Sequence, residues 1–257
     1  MTEEHGQFVS FEVQDGIARL TLRRPPLNII HIPMLREMAA ALQVLAQSEQ
    51  VRVLVLQADG KLFSAGVDVA DHTAEKVGEM IPLMNRVCQS LADFPVPTIA
   101  KVQGHAMGGG CELVLCCDLA VISGDASLAQ PEIHLAAMAP VAALRLPYFT
   151  GYRAAAELLF TGNGFNASEA LQAGLVNAVA PASELDSWVT EKTQTLAGLS
   201  RAALALSKRS LLLGFEKWAE AMPEMERLCL QDLMDTSDAH EGLAAFMEKR
   251  KPKWNHK

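Results

Sequence analysis

The segment Gly104-His105-Ala106-Met107-Gly108-Gly109-Gly110-Cys111-Glu112-Leu113-Val114-Leu115 decides how this chain is read. A strand, Thr98 to Val102, runs toward it, three glycines follow, and the apolar run Cys111 to Cys117 opens a helix. Glycine lets a backbone come close to a ligand, and the free N–H groups at a helix start favour negative charge. Glu112 falls in the first helical turn, where a carboxylate also has the plain use of balancing the helix dipole. A phosphate-binding loop is excluded, because Gly110 is followed by Cys111 and not by Lys-Ser/Thr.

Upstream, Phe8 to Val13 and Ile17 to Leu22 alternate in character around Asp15-Gly16, which predicts a hairpin. Pro33 opens a helix to about Gln47, with Leu35, Met38, Leu42 and Leu45 on one face. Val51 to Gln57 reads as a buried strand, and Ala74 to Ala92 as a long helix. Strands alternating with helices on this rhythm predict an α/β core. Downstream, Asn166-Ala167-Ser168-Glu169 has the form of a capping box opening a short helix that Gly174 ends. From Ser183 onward the pattern is helical, and Trp218, Met222, Met225 and Cys229 recur at helical steps. The expected division is a core over residues 1–197 and a helical region over 198–257.

A second acid follows the first by twenty residues, in Ala129-Gln130-Pro131-Glu132-Ile133. Taken alone, it is an ordinary turn carboxylate. Two acids among apolar neighbours, each beside a chain reversal, suggest more. Facing each other in a dry pocket they repel, and one keeps its proton near neutral pH. That arrangement supplies one proton acceptor and one donor, which hydration of a double bond requires. A third piece, Lys61-Leu62-Phe63-Ser64-Ala65-Gly66-Val67-Asp68-Val69, presents a loop of small residues. Its plain reading is a turn in which Asp68 caps a helix.

Composition sets the outer limits. Half of the 257 residues are apolar, a fifth are charged, and the net charge is −8. An acidic chain disfavours a nucleic-acid partner. No apolar run approaches the roughly 20 residues needed to span a bilayer. The acidic start, Met1-Thr2-Glu3-Glu4, lacks the form of a signal peptide. Five cysteines without C-x-x-C spacing suit buried thiols in a reducing cytoplasm, and no metal site is expected.

Together, Phe63-Ser-Ala-Gly-Val-Asp-Val, the Gly104 to Leu113 segment and Ala129-Gln-Pro-Glu-Ile resemble the enoyl-CoA hydratase/isomerase (crotonase) family. The ending Glu241-Gly-Leu-Ala-Ala-Phe246-Met-Glu-Lys249-Arg-Lys-Pro252 is similar to that family's C-terminus. The resemblance implies a spiral of ββα units with a helical trimerisation region, assembled as a trimer or a dimer of trimers. It implies an acyl-CoA thioester substrate, with coenzyme A as part of that substrate and no separate cofactor. The N–H groups of Val67 and Gly109 would grip the thioester oxygen. Glu112 would deprotonate water, and Glu132 would protonate the α-carbon. Val67, Asp68, Val69 and Ala70 would lie along the coenzyme A arm. Phe246 and Lys249 would sit near the adenine, possibly from a neighbouring subunit.

Two departures from the family pattern stand out. Ala70 occupies a position that often holds Lys, so Arg23, Arg24 or Lys249 would have to meet the phosphates. Ala139-Pro140-Val141-Ala142-Ala143 replaces a glycine-rich turn, and Pro140 has no N–H to offer water or glutamate. That turn, with Arg24-Pro-Pro-Leu-Asn28-Ile-Ile-His-Ile-Pro33-Met34, resembles the cyclohexa-1,5-diene-1-carbonyl-CoA hydratases. Competing readings are a double-bond isomerase, an RNA-binding relative, and a serine peptidase on a similar spiral. Two acids favour the hydratase over the isomerase. The net charge argues against RNA, and the sequence contains no G-x-S-x-G. His105 and His134 flank the acids and are expected as satisfied core or pocket-wall residues.

Overall fold

The computed structural model describes residues 2–213 and 216–253, with the backbone alone at 2, 3, 5 and 216–219. The side chain of Trp218 thus lies outside the described residues. Asp15 and Gly16 both adopt positive φ, 53° and 84°, the geometry that turns one strand tightly back on another. They join β2 (Val9–Gln14) to β3 (Ile17–Leu22) in antiparallel register, and β1 (Thr2–His5) pairs outside β2. Four parallel strands continue the sheet: β4 (Val53–Ala58), β5 (Thr98–Val102), β7 (Leu119–Ser123) and β10 (Ala178–Ala180).

Between these strands the chain repeatedly crosses to a second, shorter stack. There β6 (Ala106–Met107) pairs with β8 (Ser127–Ala129), and β8 with β9 (Gly164–Asn166). Single bridges, Ile30 to Val67 and Ser64 to Ala106, carry that stack to its other end. Each turn of the spiral therefore places one strand in each stack and then a helix. The helices are α1 (Ile32–Gln47), α2 (Val77–Ala92), α3 (Gly109–Leu115), α4 (Pro140–Thr161, broken at Gly151) and α5 (Ala167–Gln172). After them come α6 (Leu185–Ala197), α7 (Arg201–Leu212), α8 (Glu216–Arg227) and α9 (Ser237–Met247), with a π-helical stretch at Leu228–Leu233.

Because β4 is buried on both faces, its side chains divide by parity. Leu54 and Leu56 join the main core with Leu35, Met38 and Leu42 of α1, while Val53 and Val55 meet Leu185 and Val189 of α6. The predicted face of α1 is the buried one. The capping box at Asn166 forms in both directions. Helix α2 begins at Val77 and not at Ala74. Before it, Val69–Asp71 forms a single 3-10 turn capped by the Asp68 side chain, as the plain reading of that loop expects. All five cysteines are free and buried. Among the described residues no helix is long and apolar enough to cross a membrane.

Asn28 ties the first crossing to the site loop. It is fully buried with φ of 47°, its Oδ1 accepts from the Arg24 N–H, and its Nδ2 donates to the carbonyls of Asp59 and Leu62. The Asn28 carbonyl in turn accepts from Ser64 Oγ, which itself accepts from the Gly66 N–H. Asn28→Ala removes three bonds, strands buried polar groups and puts a Cβ-bearing residue without a side-chain acceptor at positive φ. We expect it to lower unfolding stability by about 2–4 kcal/mol, measured by denaturant titration.

Candidate active site

Helix α3 is buried along its whole length, so Glu112 has little access to bulk water. It is 4% exposed, and its Oε1 accepts from the backbone N–H groups of Val141 (2.9 Å) and Ala142 (3.0 Å). These N–H groups belong to the first turn of α4. Pro140 stands at the start of that helix, where the missing N–H costs nothing and the next two donors point outward. Pro140 itself offers no N–H, as expected, and the donors to the glutamate come from one and two residues further on. Glu112 therefore compensates the dipole of α4 as well as belonging to the first turn of α3.

Glu132 lies in a 3-10 turn over Pro131–Leu135; the strand before it ends at Ala129, short of the proline. The residue is partly exposed, but its Oε2 is sealed from solvent and has no hydrogen-bond partner among the described residues. A Cβ on Gly108, where φ is 50°, would collide with Glu132 Oε1, so only glycine lets the carboxyl lie against this backbone. Burial pushes the Glu112 carboxyl up to about 7, with the Ala142 and Val141 N–H groups pulling the other way. Burial also pushes Glu132 up to about 8, and the neighbouring Glu112 charge adds to the rise. Between those values the pair holds one proton, ready to accept at one group and donate at the other.

Val67 and Gly109 are brought together. A Cβ built on Gly109 would fall 2.5 Å from Val67 Cγ2. Neither backbone N–H has an acceptor among the described residues, whereas those of Gly66, Asp68, Gly108 and Glu112 are all bonded. Two adjacent free donors beside two carboxyls can hold an oxygen on which negative charge develops. All four groups border one cavity of about 370 Å³ with mostly apolar walls.

The other expected residues are placed as follows. Val69 lines the cavity, and Ala70 follows with its N–H donating to Asp68 Oδ1. Arg24 pairs with Asp68 at 3.6 Å and donates to the Ile29 carbonyl, so two candidate coenzyme A contacts partly neutralise each other. Phe246 lines the cavity of its own chain, because α9 packs against the Glu132 turn. Lys249 is exposed just beyond α9 and outside the cavity wall. His134 lines the cavity; His105 instead hydrogen-bonds Ser127 Oγ at 2.8 Å and does not reach it. Sequence reasoning missed Asn85 and His72, both on the cavity wall. Asn85 shares a helical face with Met80, Ile81 and Met84, and a polar residue among those apolar steps was the available signal. No group of three or more metal-ligating side chains occurs among the described residues.

Comparison with known proteins identifies the family. Residues 12–257 match the family described as enoyl-CoA hydratase/isomerase. The chain is 31% identical over 252 residues to the cyclohexa-1,5-dienecarbonyl-CoA hydratase of Thauera aromatica, covering 97% of this chain and 96% of that one. It is 32% identical over 256 residues to a probable enoyl-CoA hydratase of Bacillus subtilis, covering 96% and 98%. A solved enoyl-CoA hydratase from Mycobacterium avium superposes with a TM-score of 0.87 at 26% identity, covering 96% and 98%. The spiral is thus the crotonase-like α/β fold, and the chain belongs to the enoyl-CoA hydratase/isomerase family.

Proposed function

We propose that this protein adds water across the activated double bond of an enoyl-CoA or cyclic dienoyl-CoA thioester. The observation that carries the proposal is the pair of buried carboxyls, Glu112 and Glu132, facing one cavity beside two free N–H groups. The Val67 and Gly109 N–H groups hold the thioester oxygen and stabilise the enolate as it forms. Ionised Glu112, fixed by the α4 N–H groups, takes a proton from water while the water oxygen bonds to the alkene carbon. Protonated Glu132 gives its proton to the α-carbon. The proton count balances: Glu112 ends protonated and Glu132 ionised, and exchange with solvent resets the pair. Trimeric assembly belongs to the same proposal, supported by Tyr152, Phe160, Leu206 and Leu211, large apolar residues left exposed on α4 and α7.

Glu112→Gln and Glu132→Gln should each lower turnover by about 10²–10⁴-fold while leaving the far-ultraviolet circular dichroism unchanged. Wild-type-like rates in either variant overturn the two-carboxylate mechanism.

The active form carries one proton on the pair. Activity should therefore rise as Glu112 ionises near pH 7 and fall as Glu132 loses its proton near pH 8. A plot of kcat/KM against pH should be a narrow bell, and a flat profile from pH 5 to 10 would contradict this protonation scheme.

The finer reading is that the acyl group is a conjugated ring. It is supported by the resemblance of Arg24 to Met34, by the methyl groups of Ala139 and Ala142 around the Glu112 turn, and by the Thauera relative. A cyclic dienoyl-CoA should be hydrated at least about tenfold more efficiently in kcat/KM than crotonyl-CoA, a difference of about 1.4 kcal/mol in transition-state binding. Equal rates, followed by loss of the enone absorbance, would reduce the activity to general enoyl-CoA hydration.

A further inference from the structure

Asn85 is 4% exposed on α2 and lines the same cavity as the two glutamates, among Met80, Ile81 and Met84. Its Nδ2 donates to Glu226 Oε1 of α8 at 3.0 Å. Because that partner is a carboxylate oxygen, the amide cannot flip without losing the bond, and its orientation is fixed. Oδ1 makes no hydrogen bond among the described residues. With Nδ2 held by Glu226, Oδ1 is the polar atom that Asn85 has left to offer a ligand in this cavity. A leucine would cover the same wall with no polar cost, and nothing in the acid-base pair or the free N–H groups needs Asn85. The adjoining carboxylate polarises the amide and makes its oxygen a better acceptor.

We infer that Asn85, oriented by Glu226, is a specificity residue that accepts a hydrogen bond from a hydroxyl group on the acyl ring, away from the reacting carbons. The inference rests on the acyl-CoA reading above and narrows it to hydroxylated cyclic acyl groups. Such a wall residue separates a ring bearing a donor from one without, because an unpaired buried acceptor penalises the plain ring.

Titration calorimetry with saturated thioesters tests this without depending on turnover. The probes are cyclohexanecarbonyl-CoA and its 3-hydroxy and 4-hydroxy derivatives. In the wild-type protein one hydroxylated isomer should bind about five- to tenfold more tightly than the plain ring. Asn85→Leu should abolish that preference, with the plain ring bound at least as tightly as by the wild-type protein. Glu226→Leu should lower it in part, since the amide is then free to turn. Equal binding of all three thioesters to the wild-type protein, or a preference that survives Asn85→Leu, overturns the inference alone. If Asn85→Leu does not fold, the wild-type comparison and Glu226→Leu decide. Failure of all three thioesters to bind overturns the acyl-CoA reading and this inference with it.

Discussion

Two carboxyl groups that face one largely apolar cavity cannot both be charged at low cost, and the surrounding structure follows from that constraint. Removing an ionised carboxylate from water is expensive unless hydrogen bonds or a shared proton offset the loss. Glu112 receives the hydrogen bonds, from the first turn of α4. Glu132 receives none on its sealed oxygen and instead holds a proton more tightly. This asymmetry between chemically identical side chains is set by main-chain geometry: a helix start aimed at one carboxyl and a glycine backbone pressed against the other. The spiral matters because it brings α3, the Glu132 turn and the start of α4 to one place, although β7 and β8 intervene along the chain.

Most of what sets this geometry was legible where it is local. The hairpin at Asp15-Gly16, the strand Thr98–Val102, the α1 face and the Asn166 capping box depend on neighbours a few residues away, and each formed as expected. Glu112 and Glu132 stood out in their local segments, Val67 and Gly109 followed from the family resemblance, and the fold brings all four to one cavity. The two donors after Pro140 were not foreseen, for a specific reason. A proline in a turn loses a donor, but a proline at a helix start leaves the two following donors free. Which case applies depends on where α4 begins.

Long-range pairings were harder to see. Glu226 is 141 residues from Asn85, and the pairing shows only once α8 lies against α2. Likewise Arg24 and Asp68 each suggested a coenzyme A contact, and the structure pairs them with each other. Asn28 carries a short polar side chain at positive φ, a local signal, yet its partners at Asp59 and Leu62 come from another turn of the spiral. Properties set by a residue's own backbone can be read early; properties set by its partner must wait for the fold.

Gly242 sits so close to the Leu135 carbonyl that a Cβ there would collide with it, so α9 rests on the Glu132 turn main chain to main chain. The neighbouring α9 residues Leu243 and Phe246 line the cavity. Exchanging either of them leaves this main-chain contact in place, whereas a side chain at position 242 does not. A tail anchored in this way lets the lining of the cavity vary over evolutionary time while its backbone contact with the Glu132 turn is kept.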